Sequence, residues 1–355
     1  MAKIKTLSAT SLLAVLLSIG CGRGTRNTPV SSGNLLVAVD SARQTLAVDN
    51  IATNGSLSLN ATAGTFQQPT KVLTLGNNIY VLNSGSNSVS QFSFSSTGGV
   101  STIQSLLTGT GPAQFAFDPT NSFLVVANQG SKSLSVYSVG SDGTLQSLNN
   151  GFPLTFAPLS LAFAGDILYA ASTTEITGLR LDLATGGALT VVSNFSLLNS
   201  QLSYLLADSS GTHLFATDLA TNTVFAFSIA PATGSLTQLA VTPTGTGPTI
   251  MIFDAGSRFL YIVNSVSNDV SVLSLDATTG TLTTVSGSPF PTLLPGANCV
   301  AFDSNDGFLF VGSANGNQVA TLQVNSTTGA LSSVPNSPFA VTLAPASLAL
   351  LHPTP

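Results

Sequence analysis

Two histidines, two cysteines and one glutamate are all that 355 residues offer, beside the aspartates, for common proton-transfer and metal chemistry. His213 opens the run His213-Leu214-Phe215-Ala216, and His352 stands close to the C-terminus. Neither has a Cys, His or Glu at metal-ligand spacing, so the sequence supports no metal site. No serine lies in a Gly-x-Ser-x-Gly elbow, and no glycine-rich phosphate loop leads into a helix. The residues therefore announce no catalytic group and no cofactor. Asp118, Asp208, Asp254 and Asp303 recur at one place, each just after an apolar run. Carboxylates at such spacing could suggest cation binding. Each, however, opens a turn such as Asp118-Pro119-Thr120-Asn121, where an Asp side chain bonds its own backbone. The same holds for Asp40, Asn83, Asn128, Asp218 and Asn264, which end the following runs.

The elements that carry these residues repeat. A turn followed by Gly-x-Leu or Gly-x-Val recurs at Gly55, Gly98, Gly143, Gly187, Gly234, Gly280 and Gly329, at spacings of 43 to 49 residues. In residues 248–285 an apolar strand precedes the turn Asp254-Ala255-Gly256-Ser257, and strands at 259–263, 269–275 and 281–285 follow. Four short strands per unit of forty-odd residues is the pattern of a propeller blade. The expected fold is all-β: a seven-bladed β-propeller with four-stranded antiparallel blades over residues 34–352. Residues 35–60 supply only three strands, and 345–351 supply one more. The N- and C-terminal strands should therefore share the first blade and close the ring, which removes exposed sheet edges.

Ligands of propellers usually sit over the central channel, on loops entering the first strand and leaving the second. The scarce charges on those loops are Arg43, Lys71, Lys132, Glu175, Asp218 and Asp269. Arg43, Lys71, Lys132 and Glu175 are the candidate ligand-binding residues, with Lys71 foremost because it follows Pro69 at the mouth of a first strand. Only 6% of residues are charged, and Lys+Arg 9 stands against Asp+Glu 14. Such a surface has no basic patch for a phosphate backbone, which argues against nucleic acid. It suits a neutral or apolar ligand better.

The first five residues carry Lys3 and Lys5, and residues 6–20 are apolar, as in a secretory signal. The stretch ends Leu17-Ser18-Ile19-Gly20-Cys21, which resembles a bacterial lipobox. This implies a lipoprotein signal at 1–20, lipidation of Cys21, and a flexible tether over 21–33. The expected address is the cell envelope, lipid-anchored and outside the cytoplasm, with the membrane as one partner and an envelope protein, peptide or glycan as another. Cys299 lies in an apolar stretch and reads as a small buried hydrophobe.

Tyr80-Val81-Leu82-Asn83 and Tyr261-Ile262-Val263-Asn264 resemble the Tyr-Val-x-Asn signature of bacterial YVTN-type propellers. The wider pattern resembles the lactonase-type, 6-phosphogluconolactonase-like propellers, over about residues 34–352. That family's enzymes open their strands with Gly-Pro-Arg-His. Here the matching stretches are Gly111-Pro112-Ala113-Gln114 and Gly247-Pro248-Thr249-Ile250, and Ser265 follows Asn264 where the family often has Glu. Neutral residues at these places imply a non-catalytic binding module, with lactone hydrolysis of the 6-phosphogluconolactonase type as the alternative.

Overall fold

The computed structural model describes residues 31–353, apart from 96, 183 and 304–306. The lipobox and most of the tether lie outside the described residues. The described residues form thirty strands in seven sheets and contain no helix. One blade shows the plan. Pro69–Leu75, Asn78–Asn83, Ser88–Phe94 and Val100–Leu107 pair antiparallel in sequence order from the channel outward. Second strands such as Phe123–Asn128 and Phe259–Asn264 are buried throughout, because each blade is sandwiched between two others. Their sequences are accordingly apolar without alternation. Outer strands such as Val100–Leu107 and Leu236–Pro243 are instead largely exposed, and Ile103, Leu107, Leu239 and Val241 face water beside Ser and Thr.

In the sixth and seventh blades the outer strand is split. Thr281–Thr284 and Phe290–Pro291 both pair with Asp269–Asp276, and Leu331–Ser333 and Phe339–Ala340 both pair with Gln318–Val324. In each gap a serine hydroxyl accepts from the third strand: Ser288 from the Val272 amide at 2.8 Å, Ser337 from the Thr321 amide at 2.9 Å. Phe290 and Phe339 just beyond pack between neighbouring blades.

Seven apolar clusters fill the seven blade–blade junctions. Val81 and Phe92 of the second blade meet Val48 of the first, for example, while Tyr80 and Leu82 on the other face meet Phe115 and Leu124 of the third. The repeating glycines explain themselves at these junctions. All seven have positive φ, which hairpin turns of this type demand. A Cβ on Gly143 would also lie 2.7 Å from the Tyr80 hydroxyl of the preceding blade. That hydroxyl donates to the Gly143 carbonyl at 2.6 Å, and Tyr169 does the same to Gly234 at 2.8 Å.

The recurring acids are turn staples. Asp118, Asp208 and Asp254 each accept from the backbone amide of the residue that opens the second strand, at 2.6 Å from Phe123, 3.0 Å from His213 and 3.0 Å from Phe259. Asn83, Asn128 and Asn264 each donate to a serine of the third strand at 2.8–2.9 Å.

The ring closes as the strand count requires. Ser347–Leu351 pairs antiparallel with Ser31–Asp40, from Leu35↔Leu351 to Val39↔Ser347. Pairing begins at Ser31, so the last residues of the expected tether already join the sheet. Beyond the ladder, Asn34 donates to Asp303 at 3.0 Å and accepts from His352 Nδ1 at 2.8 Å.

Candidate functional site

Strand register puts one residue from each inner strand into a single layer near the mouth of the channel. Lys71 pairs with Leu82, Gln114 with Ala127 and Tyr204 with Thr217. Ile250 pairs with Val263, Cys299 with Gly312, Ser160 with Ala171 and Ser347 with Val39. In six of the seven the partner is the residue just before the end of the second strand, and Ala171 is the last residue of its own. The layer is thus Ser347, Lys71, Gln114, Ser160, Tyr204, Ile250 and Cys299, in ring order.

Three of the seven are occupied with the neighbouring blade. Ser160 accepts from the Leu205 amide at 2.9 Å and Ser347 from the Val72 amide at 3.2 Å. Cys299 donates to the Pro345 carbonyl at 3.3 Å, and burial pushes its thiol up to about 12. That thiol is a buried small hydrophobe, not a nucleophile.

Lys71, Gln114, Tyr204 and the apolar Ile250 remain to face the channel, where they line a cavity of about 340 Å³. Below them the wall is hydrocarbon and aromatic, with Leu73, Leu206, Met251, Ile252 and Phe302 among its residues. Lys71 is half-buried: water entering the channel reaches it, while protein closes round it. Desolvation holds its ammonium below the usual lysine range, and nearby Cys299 pulls weakly the other way. Among the described residues no carboxylate pairs with Lys71. Desolvation likewise raises the Tyr204 hydroxyl above its ordinary value, with the Gln114 amide beside it opposing. No Asp, Glu or His lines the cavity. The arrangement can hold a molecule that is mostly apolar and polar at its mouth end.

The other sequence candidates stand elsewhere. Arg43 pairs with Asp40 at 2.6 Å and donates to Asn317 at 3.4 Å. Burial alone would raise Asp40, but the Arg43 and Ala344 amides and the guanidinium outweigh it and hold the carboxyl below its usual range. Lys132 is exposed, with φ 50, on a turn whose carbonyl accepts from the Leu154 amide at 2.8 Å. Glu175 is half-buried and opens the strand Glu175–Asp182. Lys71 alone among them lines the cavity, and these four sit on different blades. Tyr204 is the residue that sequence reasoning misses. Leu202 replaces the strand-opening proline there, so only alignment of all seven repeats would flag it.

The fold and this channel define a lactonase-type propeller. The family model described as "Lactonase, 7-bladed beta-propeller" matches residues 37–163 and 161–302, and the chain belongs to that family. No curated protein sequence matches it. Among solved structures, the periplasmic gluconolactonase PpgL of Pseudomonas aeruginosa superposes with a TM-score of 0.77 at 18% identity, covering 90% of this chain and 99% of that one. A candidate 6-phosphogluconolactonase of Bacteroides fragilis gives 0.75 at 20% identity, covering 90% and 98%. Hydrazine synthase of Kuenenia stuttgartiensis gives 0.63 at 17% identity, covering 86% and 99%. At such identities the likeness is one of fold, and a fold hosts many functions.

Proposed function

We propose that the propeller is a non-catalytic binding module that takes a small, largely apolar ligand in the mouth half of its channel. The observation that carries this reading is the wall of the cavity, where Lys71, Gln114 and Tyr204 stand over an otherwise apolar shaft with no Asp, Glu or His. Lactone opening needs a group to activate water and a donor array for the developing oxyanion. A phosphorylated sugar would further need several cations, and the cavity holds one.

The second reading is hydrolysis of a sugar lactone. Family membership and the likeness to a gluconolactonase favour it. So does one local feature: desolvation holds the Lys71 ammonium below the usual lysine range, the direction that a general base needs. The test is proton release from gluconolactone and its 6-phosphate between pH 6 and 8, corrected for spontaneous opening. The binding reading expects the background rate. A rate well above background that falls in Lys71→Met would replace it with the enzymatic one.

The lipobox-like stretch ending at Cys21 supports an envelope address for the module, with the membrane as partner through a lipid. The periplasmic description of the Pseudomonas protein agrees with that address. Metabolic palmitate labelling should mark the wild type and be lost in Cys21→Ser. A soluble, unlabelled wild type would contradict the anchor.

A further inference from the structure

We infer that the ligand is an amphiphilic carboxylate, a medium-chain aliphatic acid or its like, with its carboxylate at Lys71 and its hydrocarbon part down the shaft. This rests on the binding reading above and names the ligand class.

The charge balance of the cavity points to an anion. Lys71 is the one cation in its lining, and no carboxylate of the described residues is paired with it. A cation enclosed by apolar walls gains most from a partner that brings opposite charge into the same low-dielectric space. The other two channel-facing polar groups suit the same head. Tyr204 carries a hydroxyl donor and Gln114 an amide donor, and both share the layer of Lys71. A carboxylate accepts on two oxygens, so one from the ammonium and one from the Tyr204–Gln114 side can be satisfied together.

The rest of the cavity excludes a polar ligand. Leu73, Leu206, Ile252 and Phe302 offer no hydrogen bond to a sugar hydroxyl, and burying an unpaired hydroxyl is costly. The volume of about 340 Å³ lies near the small end of the ~300–1,000 Å³ typical of ligand sites, which favours one short chain over a phospholipid.

Isothermal calorimetry with sodium octanoate, 1-octanol and octylammonium, each below its micellar concentration, tests this on the intact propeller. Octanoate should bind at least tenfold more tightly than octanol, and octylammonium should not bind. In Lys71→Met the preference for octanoate over octanol should collapse to near unity. Filling the shaft with Leu206→Trp should abolish binding of both, with the melting temperature confirming that each variant is folded. If octanoate and octanol bind the wild type alike, the carboxylate assignment is overturned while the binding reading stands. If none of the three binds, or if Leu206→Trp leaves binding intact, the channel is not the site and the binding reading falls as well.

Discussion

Deleting residues 345–355 should lower the melting temperature by roughly 7 °C or leave the protein insoluble, whereas deleting 353–355 should change little. The longer deletion removes the inner strand of the first blade, which pairs with Ser31–Asp40 along five residues. Leu348 and Leu351 are buried in two different inter-blade clusters, and each such side chain contributes roughly 1.5–3 kcal/mol. Pro345 also goes, and with it the carbonyl that receives the Cys299 thiol. A loss of about 5 kcal/mol corresponds to roughly 7 °C for a domain of this size. The strand that remains would also present an open edge, a template for aggregation. Calorimetric melting of the three proteins checks this. Equal melting temperatures for the parent and the longer deletion would contradict ring closure by the C-terminal strand.

The second large effect is one of pH. Asp49 is 2% exposed, in the third strand of the split blade, paired with Leu36 and Leu59. Desolvation raises its carboxyl to about 6 from an ordinary 3.8. The folded state therefore holds this proton more tightly than the unfolded chain does. Its contribution to stability is full below pH 4, declines as pH rises through 6, and is gone above that. About two pKa units at 1.36 kcal/mol each make the difference roughly 3 kcal/mol. Asp49→Asn removes the titration. Between pH 4 and 7 the wild type should lose roughly 3 kcal/mol relative to the variant in urea unfolding. Asp40 and Asp208 shift the other way, below their ordinary range, but they are common to both proteins and cancel in the comparison. Parallel pH curves would show that Asp49 is not desolvated.

The blade repeat was legible because two independent demands fall on one residue in each unit. A positive φ and a close approach to the preceding blade both require glycine, and together they produce a period that composition cannot hide. The turn acids were legible for a similar reason, since Asp118 and its equivalents serve a local backbone need. The split outer strands were not. Nothing in residues 281–285 shows that Phe290–Pro291 returns to the same sheet.

The site was legible in part. Lys71 stands out because a charge so close to a strand-opening proline is rare in this chain. Arg43 and Lys132 are equally scarce charges, yet one is paired with Asp40 and the other lies on an exposed turn. Scarcity alone does not distinguish a channel residue from a loop residue. Gln114 and Tyr204 belong with Lys71 only through register across three blades, and Asp49 is buried only because another blade covers it. These are properties of the closed ring, invisible within a single repeat.

The most direct measurement of the central claim is a crystal structure grown with octanoate. One octanoate molecule should lie in the channel, its carboxylate within hydrogen-bond distance of Lys71 Nζ and its chain against Leu206 and Ile252. A channel that stays free of octanoate at saturating concentration, with the acid bound on the outer strands or not at all, would contradict it.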